Sequence, residues 1–139
     1  MILAYMAGSY PALRIQIDPD NLIGLSITIM GVGIIIRFVA IRTLGRHFRT
    51  LIHIWEDHIV VKTGLYRYIR HPAYLGSLIS AFCVTVVFQN ILIPIIVIGM
   101  LLPAIFLRIS YEEAALCKQL GREYEEYRKV AWKLIPYIY

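Results

Sequence analysis

Cysteine and charge are both scarce in this chain, and each scarcity removes a class of protein. Two cysteines occur in 139 residues, Cys83 inside an apolar run and Cys117 in a polar stretch. They form neither a disulfide framework nor a zinc-type ligand pattern, and they fit free thiols. Charged residues make up 17% of the chain against 59% hydrophobic, a balance that suits an integral membrane protein better than a soluble domain. Acidic residues are the scarcer sign, 9 against 14 Lys and Arg, for a formal net charge of +5. The basic residues collect at 42–70 and 108–133, beside apolar runs. Anionic headgroups and the positive-inside rule explain that placement, and nucleic acid does not. Residues 1–13 lack a basic n-region and a cleavage site, so no cleavable signal is read and the first span is expected to act as the membrane signal. No repeat, low-complexity tract or Ser-His-Asp arrangement is visible, and the histidines have no acidic neighbours at ligand spacing, so no metal is expected.

What is present reads as one compact, all-α integral membrane unit with about three transmembrane helices. Residues 1–21 form an N-terminal segment that lies on or dips into the bilayer and ends in turn and N-cap chemistry at Asp18, Pro19, Asp20 and Asn21. Residues 22–41 make the first transmembrane helix, with Arg37 and Arg42 near enough to its end to snorkel and Gly24, Gly31 and Gly33 small enough to admit a neighbour. Aspartates before this helix and arginines after it place residue 42 in the cytoplasm. Residues 43–71 are the longest polar segment, read as an ordered cytoplasmic loop because strands facing lipid would leave a bare sheet edge. Two short apolar runs, 73–87 and 91–107, parted by Gln89 and Asn90, form a helical hairpin within residues 72–107. Residues 108–139 are expected to be cytoplasmic: the second hairpin helix continues to a cap at Gly121, and an amphipathic helix runs from Arg122 to about Trp132 and is ended by Pro136.

The stretch 64–76, Gly-Leu-Tyr-Arg-Tyr-Ile-Arg-His-Pro-Ala-Tyr-Leu-Gly, concentrates cations, rings, a histidine and a helix-starting proline. Pro72 suits the first turn of a helix and pushes His71 toward an extended conformation at the helix entrance. Gly64 reads as a turn residue. Arg67, Arg70 and the tyrosines also fit a plain interfacial anchor of headgroup-binding cations and aromatic belt. The second informative feature is Arg108 with Glu112, which share a helix face at i, i+4. Arg before Glu is the weaker order for an intrahelical pair, and both sit at the end of an apolar span, where ionisable groups are costly without a task, so a plain salt bridge and a functional role fit the pair equally. Glu113, about 100° further round the helix, is expected to face water. The hairpin returns all these elements to one membrane face, where the loop histidines His53 and His58, the rings of Tyr66 and Tyr74, His71, Arg108 and Glu112 can line a single pocket. Such a pocket suits a water-soluble cofactor meeting a lipid-like substrate.

The run Gly64-Leu-Tyr66…Arg70-His-Pro-Ala-Tyr74-Leu-Gly76, followed by Arg108-Ile-Ser-Tyr-Glu-Glu113, Leu116, Gly121-Arg-Glu-Tyr124-Glu-Glu-Tyr127 and the ending Leu134-Ile-Pro136, resembles the isoprenylcysteine carboxyl methyltransferase family. Phospholipid N-methyltransferases belong to the same broader group. The resemblance spans about residues 44–136 and implies a membrane methyltransferase that uses S-adenosyl-L-methionine without a soluble Rossmann domain. It implies cofactor contacts at His53, His58, Ile59, Val60, Val61, Tyr66, His71, Pro72, Ala73, Tyr74 and Glu112, and a catalytic pair in which Arg108 holds the substrate carboxylate and Glu112 is the acidic cofactor contact. The implied partners are a lipophilic or prenylated acceptor and membrane lipids. One clear span precedes the loop where many relatives have more, so a second copy is one way to complete the lipid path, and a homo-oligomer is among the expected partners. The C-terminal region of sterol reductases, which use NADPH, is similar in its Arg-His/Tyr segment and its ending. The Arg-His-Pro-Ala-Tyr form and the Glu112-Glu113 doublet favour the methyltransferase. A non-enzymatic membrane scaffold accounts for the basic belts but not for Arg108 with Glu112.

Overall fold

The structure, a computed structural model, describes residues 14–45 and 60–137. Helix α1 spans Pro19–Leu44 and begins where Asp18 accepts hydrogen bonds from the backbone N–H groups of Asp20 and Asn21 at 2.9 and 3.2 Å. It extends past the apolar run 22–41 at both ends, because the Asp18 cap sets its start and Gly45, at φ 53°, sets its stop. Helix α2 spans Pro72–Val86, helix α3 Leu92–Leu120, and helix α4 Arg122–Val130. Among the described residues no strand forms, and backbone pairing outside the helices includes two isolated bridges, Arg14 with Asn90 and Ile69 with Trp132.

Helices α1 and α2 make the closest crossing. A Cβ on Gly76 would stand 2.5 Å from the Gly33 carbonyl oxygen and 2.8 Å from the Arg37 amide nitrogen, so the two backbones touch here. Gly24 and Gly31, the other small residues of α1, meet nothing within 4 Å among the described residues. Beside the crossing, Arg37 donates to the Ser77 hydroxyl and lies 3.5 Å from the Ala73 carbonyl oxygen. Its guanidinium therefore reaches across to the start of α2 instead of snorkelling along its own helix. Polar groups of two helices satisfy each other where little water is at hand.

The hairpin turn lies at the opposite end of the bundle from Pro72. Gln89 takes a positive φ of 54°, and the buried Asn90 side chain accepts from the Leu92 amide at 2.9 Å to start α3. The segment before α1 fastens on this turn through the Ile15 amide to the Gln89 carbonyl at 2.9 Å and through Arg14 to the Gln89 side chain at 3.1 Å. Helix α3 then runs without a break through its apolar part into the polar extension 108–120, and Gly121, at φ 53°, turns the chain back into α4. Helix α4 stops at Val130, short of Trp132 and Pro136, because Ala131 is extended and the Trp132 amide bonds to the Tyr68 carbonyl at 2.8 Å.

Leu78 of α2, Ile105 and Ile109 of α3 and Leu134 from the tail form the main buried cluster. Helices α1 and α3 are long and apolar enough to cross a membrane, with mean hydropathy 2.2 and 2.5, whereas α2 is apolar but has 15 residues. The exposed faces of α1 and α3 carry Leu25, Ile34, Ile35, Phe38, Ile95 and Met100, the surface of a protein whose solvent is lipid.

Because the crossing admits no side chain, Gly76→Ala is expected to lower stability in detergent by about 1–3 kcal/mol. Gly24→Ala, with open space around it, should leave the thermal midpoint unchanged or slightly raised. Equal midpoints for the two variants would show that the crossing is not packed as described.

Candidate active site

The segment leading into α2 is held in place over most of its length. Gly64, at φ 58°, opens a 3-10 turn over Gly64–Arg67, and this turn buries Tyr66 against Ala40 of α1 and Ala73 of α2. The Tyr66 carbonyl accepts from the Tyr127 hydroxyl of α4 at 2.6 Å. Beyond it, the Arg70 and His71 amides bond to the carbonyls of Trp132 and Lys133 at 2.8 and 3.2 Å. Burial pushes the phenols of Tyr66 and Tyr124 well above the ordinary value, and that of Tyr127 up to about 12, so all three remain protonated donors.

A buried carboxylate organises this end of the bundle. Glu113 is 5% exposed, so the expectation that it faces water is corrected. It lies on the line Ile105, Ile109, Glu113, the inward stripe of α3 at four-residue spacing. One of its oxygens accepts from Arg70 Nε at 2.8 Å and meets His71 Nε2 at 3.2 Å, while the other lies 3.6 Å from Arg128 Nε. Burial alone would raise its pKa, but the hydrogen bond with His71 and the charge of Arg70 outweigh burial and hold the carboxyl at about 2. Arg70 is also no headgroup anchor. Its side chain is buried, and its Nη1 donates to the carbonyls of Arg128 and Ala131 at 2.8 and 2.7 Å, closing the end of α4.

The adjacent network carries the catalytic candidates. Arg108 Nε donates to the Tyr74 hydroxyl at 2.9 Å, and that hydroxyl donates to Glu112 Oε2 at 2.9 Å. The i, i+4 pair therefore meets through a phenol supplied by α2. All three side chains are half-buried at the junction between the apolar part of α3 and its polar extension. The His71 ring stands 5.9 Å from that of Tyr74, so the two networks touch.

The remaining expected residues are placed as follows. Pro72 and Ala73 are buried in the first turn of α2. Val60 packs on the Tyr124 and Tyr127 cluster of α4, and Val61 on Tyr66 and Ala73, so the end of the loop bridges α4 and α2. Lys62 pairs with Glu123 at 3.2 Å on the same seam. His53, His58 and Ile59 lie outside the described residues. Sequence reasoning missed Glu113, Arg128 and the buried role of Arg70. The inward stripe of α3 was the available signal for the first, since its two isoleucines point to the next position on the same line.

An all-helical bundle among the described residues, with apolar outer faces and a polar network at one end, defines a membrane protein with its candidate site where the apolar part of α3 meets the polar extension. The chain belongs to the isoprenylcysteine carboxyl methyltransferase (ICMT) family, whose profile matches residues 24–118. It is 36% identical over 112 residues to the protein-S-isoprenylcysteine O-methyltransferase of Dictyostelium discoideum, covering 77% of this chain and 46% of that protein. It is 39% identical over 109 residues to a probable protein-S-isoprenylcysteine O-methyltransferase of Oryza sativa subsp. indica, covering 77% of this chain and 57% of the relative. The solved structure of the eukaryotic intramembrane Ras methyltransferase ICMT superposes with a TM-score of 0.78 at 27% identity, covering 84% of this chain and 43% of that one. The chain thus spans about half the length of the curated relatives it matches.

Glu113→Gln is expected to destabilise the protein by roughly 3 kcal/mol at neutral pH, because it leaves the buried Arg70 without its counter-charge. Since the folded pKa lies below the ordinary 4.5, the stability that Glu113 contributes is present above about pH 4.5 and is lost as pH falls through about 2. Thermal midpoints of wild type and Glu113→Gln should converge over that window. A constant gap between them would show that the carboxylate is not the titrating partner.

Proposed function

We propose that this protein transfers a methyl group from S-adenosyl-L-methionine to the carboxylate of a lipophilic, prenylcysteine-like acceptor at the cytoplasmic face of a membrane crossed by three of its helices. The observation that carries the reading is the Arg108–Tyr74–Glu112 relay, a cation and an anion fixed on one phenol at the edge of an apolar bundle. The curated relatives, named as isoprenylcysteine O-methyltransferases, support the same reaction class. The third span is α2, which at 15 residues is short enough to require a locally thinned bilayer. The positive-inside rule favours the cytoplasmic side, since Asp18 caps α1 and Asp20 lies in its first turn, whereas Arg42 lies in its last turn.

The donor set fits the cofactor. Glu112 gives one oxygen to Tyr74, and a carboxylate has about four acceptor positions, so it retains capacity for the ammonium of a methionine moiety. Tyr66, His71 and Tyr74 supply rings beside it, and the backbone of Pro72 and Ala73 forms the floor. Val61 packs against Ala73 of that floor, Val60 approaches from its seat on α4, and His53, His58 and Ile59 are proposed to complete the pocket from the loop. S-adenosyl-L-methionine supplies an electrophilic methyl on a sulfonium. The acceptor carboxylate, with a pKa near 4, is already ionised at neutral pH, so the residues need neither abstract a proton nor hold a metal. Arg108 would hold that carboxylate in a two-pronged grip, with Tyr74 fixing the plane of its guanidinium. Glu112 orients Tyr74 and offsets the cation. The transfer joins an anion to a cation and leaves neutral products, so a site shielded from water by α2 and α3 favours it.

Arg108→Ala and Glu112→Ala are each expected to lower methyl transfer to a prenylcysteine by at least about 100-fold while leaving the protein folded in detergent. Retention of activity by both would remove the proposed site. His71→Ala should weaken binding of S-adenosylhomocysteine more than Arg108→Ala does, because Arg108 faces the acceptor. Calorimetric titration of the purified chain with S-adenosylhomocysteine, and separately with NADPH, tests the reaction class directly. Binding of the former alone is expected, and binding of NADPH alone would replace the methyltransferase by a reductase.

A further inference from the structure

The last described residues carry a surface that the proposed reaction does not use. Helix α4 doubles back along the polar extension of α3, with Tyr124 and Tyr127 packed on Leu116, Cys117 and Leu120. The chain beyond it descends further. Trp132 pairs with Ile69, and Leu134 enters the cluster of Leu78, Ile105 and Ile109, which straddles the end of the apolar part of the hairpin. Residues 130–137 are therefore brought down to the edge of the apolar layer.

At that level they expose rings and aliphatic groups. Val130 is 75% exposed, Tyr137 is 87% exposed, and Trp132 and Tyr137 form a ring pair with centroids 5.5 Å apart. Tyr68, next to the Ile69 bridge with Trp132, is 61% exposed and lies under the Arg67 guanidinium at 5.8 Å. Amphipathic rings at the boundary of an apolar layer are the composition of a bilayer interface.

The charges above this patch are sorted. Helix α4 has Glu123 and Glu125 in its first turn and Arg128 and Lys129 in its last, so its cationic end is the one that descends toward the apolar layer. An open cleft of about 380 Å³ at that end is lined by Arg70, Glu125, Arg128 and Lys129. Two of the acids at the far end are already paired, Glu123 with Lys62 and Glu126 with Arg122. The cations Arg67, over the Tyr68 ring, and Lys129, on the wall of the cleft one residue before Val130, are both exposed.

We propose that the tail 130–137, with Arg67, Tyr68 and Lys129, is a docking surface for the anionic phospholipid headgroups of the bilayer that holds the protein. The rings seat in the interface, and the two cations select phosphate-bearing lipids of net negative charge over zwitterionic ones. The surface continues the lipid-facing bundle, and its backbone holds the Arg70–His71 segment, so it ties the bilayer to the frame of the site.

The full chain is reconstituted in nanodiscs containing brominated phosphatidylglycerol or, at equal mole fraction, brominated phosphatidylcholine. Quenching of Trp132 emission is read after subtracting the Trp132→Phe chain, whose emission comes from Trp55. Quenching by the anionic lipid is expected to exceed that by the zwitterionic one at least about twofold, and Arg67→Glu with Lys129→Glu should equalise the two. Equal quenching by both lipids in the wild type, quenching by neither, or a preference that survives the double substitution would each overturn the proposal. The readout needs neither cofactor nor acceptor, so it fails or succeeds independently of S-adenosylhomocysteine binding.

Discussion

One buried carboxylate, Glu113, is the group on which this end of the molecule depends. A charge removed from water is tolerated only with counter-charges and hydrogen bonds around it, and Glu113 draws them from three places: Arg70 and His71 from the segment before α2, and Arg128 from α4. Each partner is thereby fixed relative to α3. Arg70 extends the tie by closing the last carbonyls of α4, where the helix dipole favours a cation. The start of α2, the polar extension of α3 and the whole of α4 are thus one rigid assembly made of short, polar contacts, resting on the apolar cluster around Ile109.

That assembly divides labour between two neighbouring acids. Glu112 and Glu113 differ by about 100° around the same helix, which points one at the protein interior and the other at Tyr74. The inner acid is held by Arg70, His71 and Arg128 and serves the frame. The outer one keeps acceptor capacity and forms the relay with Arg108, and the proposed function gives it the cationic group of the cofactor. His71 and Tyr74, three residues apart on either side of the α2 start, connect frame and relay by their ring contact. A site that must align two bound molecules benefits from such a frame, because small misplacements of the aligning groups cost large factors in rate.

Local chemistry in the sequence was readable where its cause is local. The Asp18 cap, the helix start at Pro72, the turn at Gly64 and the stop at Gly121 follow from φ restrictions and capping groups within a few residues. The pairing of Arg108 and Glu112 on one face also follows from helix geometry, although the bridging hydroxyl comes from another helix. What could not be read depends on residues far apart in the chain. That Arg70 is buried is decided by α4 and the tail, some sixty residues later, and a cation beside tyrosines reads equally well as an interfacial anchor. The early end of α4 is decided by pairing of Trp132 with Ile69, which no local signal announces. The same holds for Arg37, whose partner Ser77 is on another helix.

Side-chain identity at two of the cationic positions follows from shape as much as from charge. Arg70 delivers Nε to a carboxylate and Nη1 to two carbonyls from one planar group, a set of directions that the compact ammonium of lysine does not offer. Arg108 uses Nε to fix itself on Tyr74, which orients the rest of the fork. Rotational freedom lost in advance is not lost again on binding, so in the proposed reaction the hydroxyl of Tyr74 would contribute to recognition through the group it holds. On this view the signature segment 64–76 supplies rigidity twice. Arg70 and His71 anchor it to the carboxylate behind it, and Tyr74 passes that rigidity to the cation in front.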